Sequence, residues 1–179
     1  MTPINTEIFK AYDVRGLYPG ELDEDTFHQL GRAFAAFLGP GTVGVTRDMR
    51  VSSPSLTKAF IEGVTLQGVD VHDGGLAGTD MMYYAVASAG LMGGAMVTAS
   101  HNPKAWTGVK MVREGALAFS GDAGIGDVRA EIEAGMPEAP GGGSVEQGEI
   151  YGDFHRHALS FIDPERVTPH RVVVDGGNG

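Results

Sequence analysis

The chain has 179 residues, 42% of them hydrophobic, and its 13 basic and 23 acidic side chains leave a net charge of −10. That is room for one domain of ordinary size and a piece of another, with enough apolar residues to bury a core. The acidic balance argues against a nucleic-acid backbone or an anionic membrane surface as the main partner, and the absence of cysteine excludes disulfides, thiolate chemistry and cysteine-type zinc sites. A few local cations can still bind a small anionic substrate. The N-terminal residues show no basic start and no apolar run of the signal-peptide kind. No apolar run approaches the ~20 residues a membrane-spanning helix needs. The expectation is a soluble cytoplasmic protein.

In chain order, residues 23–38 read as a helix. Phe27, Leu30, Phe34 and Phe37 recur at helical spacing, and Asp23, Glu24 and Asp25 suit the positive end of the helix dipole. Residues 43–46 read as a short strand before a polar turn. A helix over 53–67 is predicted next, with Ser53 as its cap and Pro54 at the first position. Residues 69–72 form a strand running into Asp73-Gly74-Gly75, and Thr79 is the expected cap of a helix over 80–88. The small apolar strand 93–97 leads directly into Thr98-Ala99-Ser100. A strand over 109–112 and a helix over 122–134 follow. Residues 136–148, with Pro140-Gly141-Gly142-Gly143-Ser144, read as a domain boundary or surface loop. Beyond it a helix over 150–162, a strand over 171–174 and the glycine-rich turn Asp175-Gly176-Gly177-Asn178-Gly179 are expected.

This alternation of strands and helices predicts an α/β fold. Residues 1–140 are expected to form a three-layer α/β/α sandwich with a mixed, mostly parallel sheet. Residues 141–179 are expected to be a linker and the cut-off opening of a second domain. A final strand without a ladder partner would expose unpaired backbone, so residues 141–179 are open to packing on the first domain, to mobility, or to pairing with a second copy in an oligomer of this chain.

Ser100 lies just past a predicted strand end, where ligands bind in α/β sheets. Small neighbours at Gly93, Gly94, Ala95 and Ala99 let other backbone approach closely. A serine there can be a nucleophile, but no Gly-x-Ser-x-Gly surrounds it. His101 is adjacent in sequence and poorly placed to act as its base. On local spacing alone, a polar turn in which Ser100, His101 and Asn102 cap backbone groups is the plainer reading.

The stretch Thr98-Ala99-Ser100-His101-Asn102-Pro103 resembles the phosphoserine loop of the α-D-phosphohexomutase family. Further segments resemble family motifs in the same order. They are Phe9-Lys10-Ala11-Tyr12-Asp13-Val14-Arg15-Gly16, then Thr46-Arg47-Asp48-Met49-Arg50 with Thr46 where glycine is usual. Thr107-Gly108-Val109-Lys110-Met111-Val112 follows, and Val172-Val173-Val174-Asp175-Gly176-Gly177-Asn178-Gly179 resembles the opening of the second domain. The Tyr-Asp-x-Arg-Gly form is more like the phosphomannomutase/phosphoglucomutase branch.

The resemblance implies transfer of phosphate between C1 and C6 of a hexose, mannose or glucose, through a bisphosphorylated sugar. Ser100 would carry the phosphoryl group and, through its phosphate, bind Mg²⁺. Arg15 would stabilise charge, because a guanidinium does not give up its proton. Lys110 is better suited to carry a proton. Tyr12, Arg15, Lys110 and Asn102 would touch substrate or shape its site, and His101 would complete the phosphoserine loop. The residues alone leave blander readings open. Arg15 can be a surface residue after a turn, Lys110 can snorkel from an edge, Arg47 with Asp48 can be a turn with a local ion pair, and Trp106 can anchor a loop.

The family's Asp-Gly-Asp-x-Asp-Arg metal loop, sugar-specificity loop and C-terminal phosphate loop do not occur in these 179 residues. The resemblance therefore implies weak Mg²⁺ binding and little or no mutase turnover by this chain alone. Two other functions remain open from the residues. One is a non-catalytic phosphosugar-binding or assembly module. The other is a serine hydrolase drawing its base from His72, His155 or His157.

Overall fold

The computed structural model describes residues 4–121, 123–136 and 138–176. Helix α1 (Glu24–Leu38) begins at Asp23, whose Oδ1 accepts from the amide of Thr26 at 2.8 Å and from its hydroxyl at 2.6 Å. It ends at Gly39, whose φ of 84° favours glycine. Its buried face, Phe27, Leu30 and Phe34, meets Leu56, Phe60 and Val64 of α2 (Ser53–Leu66). Glycine inside a helix costs about 1 kcal/mol against alanine, yet both helices carry one at their crossing. A Cβ on Gly31 would lie 2.1 Å from the Phe60 carbonyl oxygen, and one on Gly63 would lie 2.1 Å from that of His28. The two backbones touch there, and only glycine permits it.

The seven-stranded sheet runs β1 (Val14–Leu17), β5 (Trp106–Arg113), β4 (Gly93–Val97), β2 (Thr42–Arg47), β3 (Asp70–Leu76) and β7 (Val145–Gln147), with β6 (Leu117–Ala118) paired to β5. Only β5 opposes the others in direction, so the sheet is mixed and mostly parallel. Helices α1, α2 and α4 (Ile125–Glu133) bury one face around Phe34, Phe60, Val45 and Val97. Helix α3 (Thr79–Ser88) covers the other through Met82 and Val86 against Met96 and Val112, joined by α5 (Tyr151–Leu159). The three-layer arrangement is the one predicted.

Several local expectations change. Ser53 does not cap α2. It is the first helical residue, after Ser52, and its hydroxyl is taken by Asp48 Oδ1 at 2.5 Å. Thr79 likewise lies inside α3, whose cap is Gly78. The expected helix over 122–134 is α4, starting at Ile125; Asp122 lies outside the described residues. The expected strand over 171–174 is absent. Residues 171–176 form no regular element, and Val172, Val173 and Val174 are exposed. A strand needs a ladder partner for its backbone, and none lies alongside among the described residues. Gly177, Asn178 and Gly179 of the expected final turn lie outside those residues.

The stretch expected as a linker carries β7. Ser144 donates from its amide and its hydroxyl to Asp70 Oδ1, each at 2.7 Å, and Gln147 Nε2 donates to Asp73 Oδ2 at 2.6 Å. Ile150 is buried under α3, and Tyr84 packs edge-on to Phe154 at 5.7 Å. Residues 144–159 therefore sit on this sheet and in its helix layer.

The Ser144 hydroxyl, followed by its amide, holds the Asp70 carboxyl below the usual carboxylate range. The unfolded chain thus binds this proton more readily. The stabilisation is complete above the ordinary carboxylate range and is lost as pH falls through the lowered folded value. We expect β7 to loosen from β3 in acid before the central strands do. The amide of Val71, which donates to the Ser144 carbonyl at 2.8 Å, reports this as faster exchange once intrinsic rates are corrected. Ser144→Ala should exchange fast there already at neutral pH.

Candidate functional site

The C-terminal edge of β4 carries the loop that sequence reasoning singled out. Ser100 has a φ of 54°, the left-handed region, which costs a non-glycine residue roughly 1–2 kcal/mol. Its amide donates to Thr98 Oγ1 at 2.8 Å, and its carbonyl accepts from Arg50 Nη2 at 3.0 Å. Its hydroxyl is exposed and, among the described residues, meets only His101 Nδ1, at 3.4 Å. Asn102 turns inward, and its amide nitrogen and side chain Nδ2 both donate to the Ala99 carbonyl, at 3.0 and 2.9 Å. The sequence-predicted Ser100, His101 and Asn102 thus share one tied loop, with the serine hydroxyl facing out.

Arg15 and Lys110 come together on the strands beside that loop. Arg15 of β1 pairs with Gly108 of β5, and Lys110 pairs with Met96 of β4, so both cations project from the face that α3 covers. A Cβ on Gly108 would lie 2.1 Å from the Val14 carbonyl oxygen and 3.1 Å from Arg15 Cδ. Glycine there lets the arginine lie across β5. Thr98 donates its amide to the Gly108 carbonyl at 2.9 Å, which places Ser100 two residues beyond the strand position level with Arg15.

Asp13, which sequence reasoning gave no role, joins the cations. Its Oδ2 accepts from Arg15 Nε and Nη2, each at 2.9 Å, and from Lys110 Nζ at 3.4 Å. It stands at the end of the turn that leads into β1, two residues before Arg15. Burial pushes the Tyr83 phenol above its usual range, and the carboxylates of Asp80 and Asp13 push it further. Tyr83 of α3 packs against the apolar cluster of Met82, Met96 and Val112 on this face of the sheet. Arg15 is only 8% exposed, yet its Nη1 has no hydrogen-bond partner among the described residues. A buried guanidinium nitrogen left over from its own carboxylate can donate to an anion.

The other candidates fall differently. Tyr12 is 72% exposed at the tip of the turn closed by Lys10 N–H to the Asp13 carbonyl, 2.8 Å. Arg47 is half-buried at the end of β2, and Trp106 opens β5 with its amide on the Pro103 carbonyl at 2.9 Å. Arg50, in sequence no more than the end of a turn motif, reaches four carbonyls of the 100–106 segment. No sequence signal links residues about fifty positions apart.

The histidines a hydrolase would need lie elsewhere. His72 lines a cleft of about 110 Å³ with Tyr84, Glu149, Ile150 and Asp153, while His155 and His157 lie on α5, where His157 stacks on Tyr84 at 4.7 Å. None of the three bonds Ser100. Among the described residues no three His, Asp or Glu side chains gather into a metal site. Among them, too, no helix is long and apolar enough to cross a membrane.

Comparison with known proteins fits this geometry. The family described as "Phosphoglucomutase/phosphomannomutase, alpha/beta/alpha domain I" matches residues 6–137. A phosphomannomutase of Salmonella montevideo is 42% identical over 178 residues, 98% of this chain and 39% of its own length. One from Escherichia coli strain K12 is 40% identical over 174 residues, 96% of this chain and 38% of its own. A solved phosphoglucomutase/phosphomannomutase family protein from Burkholderia thailandensis superposes with a TM-score of 0.81 at 36% identity, over 88% of this chain and 36% of that one. The chain thus spans well under half the length of these relatives, and its fold agrees with that of the solved one. The chain belongs to the phosphoglucomutase/phosphomannomutase family.

Proposed function

We propose that this chain is the phosphoserine-bearing part of a phosphohexomutase that interconverts the 1- and 6-phosphates of mannose or glucose. The observation that carries this reading is the unpartnered, buried Arg15 Nη1 beside Lys110, at the sheet edge where Ser100 presents its hydroxyl. Phosphoryl transfer needs positioning and charge stabilisation above all. In the forward step the bond between Ser100 Oγ and phosphorus breaks as a sugar hydroxyl oxygen bonds to phosphorus. The proton lost by that hydroxyl matches the one Ser100 Oγ takes up, and Lys110 carries it. Arg15 stabilises the charge spread over the transferring oxygens. Asp13 keeps both cations aimed, His101 and Asn102 shape the loop, and Tyr12 reaches the sugar.

Mg²⁺ would supply further charge neutralisation on the Ser100 phosphate, with Ser100 holding it through that phosphate. We also propose that sugar orientation and metal binding come from residues outside this chain, that the protein is cytoplasmic, and that the first domain extends through α5 with the second beginning after it. A coupled mutase assay on the 179-residue chain is expected to show little or no turnover.

The direct test is intact and peptide mass spectrometry after incubation with millimolar hexose 1,6-bisphosphate. One phosphoryl group on Ser100 supports the reading. Sugar-phosphate binding with Ser100 unmodified would instead favour a non-catalytic phosphosugar-binding module.

A further inference from the structure

We infer that Arg50 is the positioning residue of the Ser100 loop, a role that rests on reading Ser100 as the phosphoryl carrier. A guanidinium has five N–H donors in a rigid plane. In Arg50, Nε donates to Asp48 Oδ2 at 3.1 Å. Nη1 donates to the carbonyls of Pro103 at 3.0 Å and Trp106 at 3.2 Å. Nη2 donates to those of Ser100 at 3.0 Å and Asn102 at 2.6 Å. All five donors are used, and the side chain is 13% exposed. Arg50 therefore has nothing left to offer a ligand, and its whole bonding capacity goes to the loop.

The clamp has a firm base. Asp48 accepts from the Arg50 amide at 3.0 Å and from the Ser53 hydroxyl, while its own amide donates to the Val97 carbonyl at 3.0 Å. Arg50 is thereby tied to β4 and to the first turn of α2. At the other end, the Ser100 carbonyl is held by Arg50 and its amide by Thr98 Oγ1. With both backbone groups fixed, residue 100 stays in the left-handed region and its hydroxyl remains outward. Released, the serine would relax to an ordinary φ, and the hydroxyl would turn with it. Lysine cannot replace the clamp, because one compact ammonium with three donors cannot meet five acceptors in a plane.

The test compares wild type, Arg50→Lys and Arg50→Ala, with Arg129→Ala as an exposed control. The readouts are amide hydrogen exchange, Ser100 loading from hexose 1,6-bisphosphate, and rescue of Arg50→Ala by millimolar guanidinium ion. Arg50→Lys should speed exchange of the Ser100, Asn102 and Trp106 amides about tenfold or more, leaving β2 and α1 unchanged. Loading should fall about a hundredfold, as misplacement of a reacting atom by an ångström does. Guanidinium should restore part of both in Arg50→Ala, which a merely structural loss would not show.

Unchanged loop exchange in both variants overturns the inference. So does equal acceleration through α1 and β4 with no guanidinium response, and so does an Arg50→Lys variant that loads as fast as wild type. A wild type that never loads, in a protein whose loop loosens in Arg50→Lys and tightens with guanidinium, upholds the clamp and defeats the phosphoryl-carrier reading alone.

Discussion

Ser100→Ala is expected to abolish phosphoryl loading from hexose 1,6-bisphosphate, with no phosphate on the peptide containing residue 100 at any time. The change removes the oxygen proposed to accept the phosphoryl group. Thr98 Oγ1 is already engaged as acceptor for the Ser100 amide, and Asn102 points at the Ala99 carbonyl. The fold should survive, because the hydroxyl contributes one long contact to His101 and nothing to the core. Ser100→Gly separates chemistry from folding more cleanly. Glycine takes a φ of 54° without the roughly 1–2 kcal/mol penalty, so this variant should melt at or above the wild-type temperature while loading nothing. Phosphate appearing on Ser100→Ala at the wild-type rate would mean that another residue is the acceptor, and the proposed function would be lost with it.

Phe34→Ala should cost about 3–5 kcal/mol, the range for emptying a buried aromatic site. Phe34 is fully buried where three elements meet. Its ring lies 5.7 Å from Phe60 of α2 and 5.7 Å from Phe119 beyond β6, and Gly93 of β4 opens the space beneath it. Collapse around the void is hindered, because α1 and α2 already touch at Gly31 and Gly63 and cannot move closer. A domain of this size has about 5–15 kcal/mol in total, so the variant should unfold at much lower urea with an unchanged m-value. Phe161→Ala removes a ring that is 75% exposed and should stay within about 0.5 kcal/mol of wild type. Equal effects for the two would show that the core does not lie where the structure puts it.

The elements with strong periodicity are readable in the order of residues alone. The apolar faces of α1 and α2 announce themselves through Phe27, Phe34, Leu56 and Phe60, and β4 through its unbroken small apolar run. β1 is not readable, because Val14-Arg15-Gly16-Leu17 has neither alternation nor β-branched density. Its strand character comes from pairing with β5. β7 is equally unreadable in Val145-Glu146-Gln147, and exists because Asp70 and Asp73 hold its ends to an open sheet edge. Over residues 171–174 the reverse occurs. Valine-rich sequence promises a strand, and without a ladder partner among the described residues none forms.

Ser100 is legible as a candidate through the order of motifs around it, and so are Arg15 and Lys110. Their meeting at Asp13 is not, since residues 13 and 110 adjoin only through the antiparallel pairing of β1 with β5. Nor is the clamp by Arg50, whose carbonyl partners belong to a loop about fifty residues on. By itself the sequence determined which segments bury apolar faces, because local period acts over a few residues, and which short stretches resemble phosphohexomutase motifs. Only the tertiary structure decided which cation meets which carboxylate, which arginine serves the loop and which valines find a sheet. Those depend on hydrogen bonds and charges that reach a few ångströms in space, whatever the distance along the chain.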